Sequence, residues 1–147
     1  MSKRILWVDN DKVFLAPHIL RLRIEGYVVD QVLTLQEGLD ALVKSHYDLL
    51  ILDMMMPIGS EDNGAFSETA TNFGKNGGAA LFKVAKDTIS RMGCATLVFT
   101  IRSDHAIRKV LADAGIPVEN LMTKAQGADT ADFLKKVRQL LKEGRAE

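Results

Sequence analysis

The sequence predicts an α/β fold in three layers, with a parallel sheet between two layers of helices. Two observations carry this prediction. Short apolar runs alternate regularly with segments of helical periodicity along the 147 residues. The run Leu49-Leu50-Ile51-Leu52 contains no polar residue, as expected of a strand buried on both faces at the centre of a parallel sheet. Right-handed crossovers between such strands place helices on both sides of the sheet.

The elements follow in order. Ile5-Leu6-Trp7-Val8 is the first strand and runs straight into Asp9-Asn10-Asp11. Phe14 to Glu25 has helical periodicity and closes at Gly26, a residue type that ends helices in the left-handed conformation. Pro17 is best tolerated in a first turn, so this helix is expected to start late or to kink. Val28 to Val32 is a short strand. Thr34-Leu35-Gln36-Glu37 is a capping box opening the second helix, with Leu35, Leu39, Leu42 and Val43 as its apolar face. The third strand ends at Asp53, and Pro57 stops regular structure.

Ile58 to Gly78 differs in composition. It is rich in Gly, Ser, Asn and Thr, carries Glu61, Asp62 and Glu68, and shows no apolar period. It is expected to be a loop of about twenty residues, a length that is uncommon without a functional reason. Helical spacing returns from Ala79 with Leu81, Val84, Ala85, Thr88, Ile89 and Met92. Ala95 to Phe99 is the fourth strand and ends at Thr100. Asp104 opens a helix with Ile107, Val110, Leu111 and Ala114 inward, closed by Gly115-Ile116-Pro117. Asn120 to Thr123 is a short fifth strand ending at Lys124. The last helix, Thr130 to Lys142, turns Phe133, Leu134, Val137, Leu140 and Leu141 inward.

Bulk properties narrow the function. The length fits one domain spanning residues 1–147, with the 58–78 loop as an insertion. Nineteen basic and nineteen acidic residues cancel, which removes any global attraction to nucleic acid or an anionic membrane. Cys94 stands alone, so neither an internal disulfide nor a cysteine zinc site can form. It is expected to be a buried small hydrophobe. No apolar stretch has the length of a leader or a membrane span, and a cytoplasmic setting is expected. His18, His46 and His105 fall on the expected helices without metal-ligand spacing, and are expected at the surface or its boundary.

Ligands of open α/β sheets collect at the carboxyl ends of the strands. Asp53 ends the most apolar strand, where packing does not call for a carboxylate. With the first and third strands as neighbours, Asp9, Asn10, Asp11 and Asp53 gather at one edge. Several converging oxygens suit a hard divalent cation such as Mg²⁺.

The strand ends read, in order, Asp9-Asn10, Asp53, Thr100 and Lys124. This series over five βα units, together with the block Thr100-Ile101-Arg102-Ser103-Asp104, resembles the receiver domain of two-component response regulators over nearly the whole chain. The resemblance implies a flavodoxin-like (βα)5 fold with strand order 2-1-3-4-5. It implies that Asp53 accepts a phosphoryl group, that the Thr100 hydroxyl binds that group and that Lys124 is its charge partner. It implies Mg²⁺ or Mn²⁺ on Asp9, Asn10, Asp53 and the Met55 backbone carbonyl, with Asp11 as a further ligand candidate. The partners implied are a sensor histidine kinase or phosphotransfer protein and an unidentified downstream protein, with no nucleic acid or membrane. A stand-alone signalling protein is expected, with no enzyme activity beyond self-catalysed phosphoryl transfer and slow self-dephosphorylation.

The sequence also departs from that family. Asn10 stands where an acid is usual, which predicts weak metal binding that Asn10→Asp strengthens. Ala125 replaces the usual proline after the lysine, and Leu121 replaces the switch aromatic. The 58–78 insertion is a candidate lid or docking element. Met55 and Arg102 lie two residues beyond the acceptor and the threonine, positions that modulate self-hydrolysis in the family. An apolar Met55 cannot orient a water, so a long-lived phospho-Asp53 is expected. The departures also allow an alternative, a degenerate receiver that binds proteins independently of phosphate. A phosphohydrolase with an Asp nucleophile would want a second acid at Met55. A flavodoxin would want a phosphate loop after the first strand.

Overall fold

Alternation of side chains along the strands divides the core into two halves. In the computed structural model, which describes residues 2–56, 76–102 and 104–142, the strands are β1 (Arg4–Val8), β2 (Val28–Val32), β3 (Leu49–Leu52), β4 (Ala95–Thr100) and β5 (Leu121–Thr123). They form one parallel sheet in the order β2-β1-β3-β4-β5, the order the resemblance implied. The helices are α1 (Lys12–Ile24), α2 (Leu35–Lys44), α3 (Gly77–Met92), α4 (His105–Ala114) and α5 (Thr130–Leu140). Leu6, Val8, Leu50, Leu52 and Val98 point to one side, where they meet buried residues of α2, α3 and α4. Ile5, Trp7, Leu49, Ile51, Leu97 and Phe99 point to the other, against α1 and α5. Two-sided burial is why β3 is apolar at every position.

Several expectations are corrected. The first helix starts at Lys12 rather than Phe14, because Asp11 caps it by accepting the Phe14 N–H at 3.1 Å. Pro17 then lies inside the helix, and not in its first turn. α3 begins at Gly77, two residues before Ala79, and its first turn lies directly on the loop after β3. A Cβ on Gly78 would come within 2.5 Å of the Asp53 carbonyl oxygen, and one on Gly77 within 2.8 Å of that of Met56. Only glycine allows this approach. The last helix ends at Leu140 instead of Lys142. Val43 and Val84, expected inward, are exposed, while Gly38 and Phe82 are buried in their helices. His18 is buried at 2% exposure, not at the surface, and His46 follows α2 rather than lying on it. The 58–78 loop falls outside the described residues except for its last three, Asn76 to Gly78, which cap and open α3. Cys94 is buried, as expected, and burial, aided by the charge of Asp48, pushes its thiol up to about 12. Among the described residues, no helix is long and apolar enough to cross a membrane.

Candidate functional site

The sheet ladder runs one step past the strands and places the site residues. The Asp9 N–H donates to the Val32 carbonyl at 3.1 Å, the Asp53 N–H to that of Val8 at 3.1 Å, and the Lys124 N–H to that of Thr100 at 2.8 Å. Each residue therefore sits at the carboxyl end of its strand, in register with its neighbour. With β1, β3, β4 and β5 adjacent in that order, this puts Asp9, Asp53, Thr100 and Lys124 side by side along one edge.

Their side chains converge. The Thr100 hydroxyl donates to Asp53 Oδ1 at 2.8 Å, and the Met55 N–H donates to the same oxygen at 3.1 Å. Those two donors fix the plane of the carboxylate. Lys124 Nζ lies 3.6 Å from Asp53 Oδ2, 3.0 Å from Asp9 Oδ2 and 4.0 Å from Asp11 Oδ2. Asp9 is fully buried, and Asp53 and Lys124 are only 6% and 7% exposed. Asp9 Oδ1 accepts the Asp11 N–H at 2.9 Å, whereas its Oδ2 has the ion pair with Lys124 but no well-aligned hydrogen bond.

Burial, followed by the charge of Asp53, raises the pKa of Asp9 from 3.8 to about 6, against the opposing pull of the Asp11 N–H and Lys124. For Lys124, burial is the largest influence and lowers its pKa. The charges of Asp53, Asp9 and Asp11 and the contact with Asp9 together outweigh it, so the net shift is upward. Both shifts record the same fact: two carboxylates and an ammonium share one desolvated pocket.

The remaining expected site residues are less central. Asn10 is exposed beside the buried Asp9. Asp11 is exposed and divides its carboxylate between the α1 cap and the 4.0 Å approach to Lys124. Met55 contributes its N–H to Asp53 while its side chain faces solvent. Arg102 pairs with Asp104 and donates to Asn76 Oδ1 at 3.3 Å, joining the loop after β4 to the cap of α3. Leu121 is partly buried against the α2–α3–α4 half of the core. Ala125 is exposed, and none of the described peptide bonds is cis.

Two residues of this neighbourhood escape a reading from sequence. The Phe14 ring lies under Lys124, with Nζ 5.5 Å from its centroid. His18 stacks on Phe14 and reaches the turn after Lys124. A signal existed: Leu15, His18, Ile19 and Leu22 form the buried i, i+3, i+4, i+7 stripe of α1, with an imidazole in a series otherwise apolar.

No family model and no curated protein matches the sequence. Solved structures do match. A CheY-like response regulator receiver domain protein from Methanospirillum hungatei superposes with a TM-score of 0.73 at 23% identity, covering 97% of this chain and 95% of that one. A two-component response regulator from Clostridium difficile gives 0.72 at 16% identity, over 99% and 100% of the two chains. A chemotaxis response regulator of Vibrio cholerae gives 0.71 at 16% identity, over 95% and 99%. The chain therefore has the flavodoxin-like fold of CheY-like response regulator receiver domains.

Proposed function

We propose that the chain is a phosphoacceptor signalling protein whose Asp53 takes a phosphoryl group from a phosphohistidine of a kinase or phosphotransfer protein. The observation that carries this reading is the convergence of Thr100 and Lys124 on the Asp53 carboxylate, with Asp9 beside them. One Asp53 oxygen forms a bond to phosphorus as the phosphorus–nitrogen bond of the donor breaks. The electron pair leaves with the imidazole, which takes up a proton. Positioning and charge stabilisation do most of the work in such transfers. Thr100 and the Met55 N–H hold the carboxylate, and Lys124 offsets negative charge on the transferring oxygens. The product carries nearly two negative charges where the Asp53 carboxylate carried one, and this added charge and the new oxygens in a buried pocket pull Thr100 and Lys124 into a new arrangement and move the loops that carry them.

A divalent cation fits the residues present. Asp9 Oδ2 is a buried oxygen whose partner is the Lys124 ammonium at 3.0 Å, and the available ligand atoms are hard oxygens. Among the described residues no three acidic or histidine side chains converge on a metal position. Asp9 and Asp53 would therefore be the carboxylate ligands, completed by neutral oxygens such as Asn10 and the Met55 carbonyl. Bound Mg²⁺ or Mn²⁺ would neutralise phosphoryl oxygens and align them with the carboxylate. Asn10→Asp, on the exposed rim, is expected to tighten Mg²⁺ binding roughly three- to tenfold in a calorimetric titration. Asp9 must ionise to bind, and its raised pKa lets protons compete, so affinity is expected to fall as pH drops through about 6.

The test is intact mass after incubation with a small phosphoryl donor and Mg²⁺. A gain of one phosphoryl group that disappears in Asp53→Ala is the expected result. No gain in the unmodified sequence would overturn the proposal and leave a phosphate-independent binding module.

A further inference from the structure

We propose that His18 is a positioning residue that holds Lys124 at the carboxylate pair. It touches both supports of the Lys124 side chain. The first support is the turn after β5. The Gly127 N–H donates to the Thr123 carbonyl at 3.0 Å, and Thr123 and Gln126 exchange two hydrogen bonds at 2.9 and 3.0 Å. The Gly127 carbonyl points inward, and His18 Nε2 lies 2.7 Å from it. A carbonyl oxygen only accepts, so Nε2 carries the proton in this contact. The second support is the Phe14 ring beneath the ammonium. The His18 ring stacks on it, with centroids 5.1 Å apart and planes at 25°.

Simple core filling does not account for this placement. His18 is 2% exposed among Trp7, Phe14, Phe99 and Phe133, where a phenylalanine or leucine would pack at no polar cost. Its Nδ1 faces the Phe14 carbonyl one turn back, at 3.2 Å. What an apolar residue cannot do is satisfy the buried Gly127 carbonyl. That turn has little freedom elsewhere, since a Cβ on Gly127 would meet Phe99 Cε1 at 2.5 Å. Phe99 in turn precedes Thr100. The imidazole thus ties α1, the end of β4 and the turn after β5 into one unit, with Lys124 projecting from it across the site.

The effect on phosphoryl uptake rests on the proposed function; the effect on Lys124 does not. His18→Phe keeps the aromatic packing and removes the donor, while His18→Gln puts an amide N–H close to the position of Nε2. Each is made alone and with Lys124→Met. The side-chain resonance of Lys124 in lysine-labelled protein, assigned by its loss in Lys124→Met, reports the placement directly. It is expected to shift in His18→Phe and to return in His18→Gln. Uptake from a small donor is expected to slow about tenfold in His18→Phe, to recover to within about twofold in His18→Gln, and to change less than about twofold when His18→Phe is added to Lys124→Met. An unmoved Lys124 resonance in His18→Phe overturns the proposal, as does a His18 effect on uptake that persists in full without Lys124. If the protein takes up no phosphoryl group, the resonance alone decides. If His18→Phe does not fold, His18→Asn, too short to reach Gly127, takes its place with the same expectations.

Discussion

Asp9→Asn is expected to make the metal-free protein more stable at pH 7 by about 3 kcal/mol, while removing its Mg²⁺ binding. Asp9 titrates at about 6 in the folded chain against 3.8 as its ordinary value. Between those pH values the folded chain holds more protons than the unfolded one. Stability contributed by this group is therefore fully present below pH 4 and falls as pH rises through 6. At pH 7 the folded protein carries a buried, ionised carboxylate beside a second one, and Lys124 only partly offsets the cost. Asparagine keeps the shape and the acceptor for the Asp11 N–H, and it removes the charge. Urea unfolding with a chelator present would show the gain at pH 7 and its near disappearance at pH 4. Equal or lower stability of the variant at pH 7 would mean that the ion pair with Lys124 fully offsets the burial of Asp9. Surrendering stability to keep a charge ready for a ligand is common at functional sites.

Lys124→Met is expected to separate two properties that a general loss of structure would move together. Uptake of a phosphoryl group should slow by about 10²–10³-fold, the usual effect of removing one preorganised charge partner from a transfer site. Mg²⁺ affinity should rise by roughly tenfold, because the ammonium lies 3.0 Å from the Asp9 oxygen and 3.6 Å from that of Asp53 and opposes a second cation there. Methionine retains the length and apolar packing of the stem over Phe14. Calorimetry gives the metal affinity and intact mass gives the uptake. Weaker metal binding together with slow uptake would indicate a collapsed site instead of a missing charge.

Much of the framework was legible because its causes are local. A run of four aliphatic residues marks a central strand wherever it occurs, and capping residues such as Thr34 and Asp104 mark helix starts from within one turn. Helix faces are less legible. Val43 and Val84 look inward by periodicity, yet the sheet covers only part of each helix and leaves them in solvent. The early start of α3 was hidden because glycine reads as a loop residue, and only the close approach of Gly77 and Gly78 to the loop after β3 explains them. The burial of His18 is legible in the apolar stripe of α1, but the carbonyl that it meets lies 109 residues away in the turn after β5 and leaves no local mark.

The order of elements and the polar residues that end the strands are written into the local pattern of the chain, because period and apolar runs act over a few neighbours. What those residues do to one another depends on contacts that exist only once the chain has folded. Asp9 acquires its high pKa, Lys124 its three carboxylate partners and His18 its carbonyl only when segments far apart in the chain meet in a pocket without water. In such a pocket, charge–charge terms and unmet hydrogen bonds outweigh the intrinsic preference of any single residue.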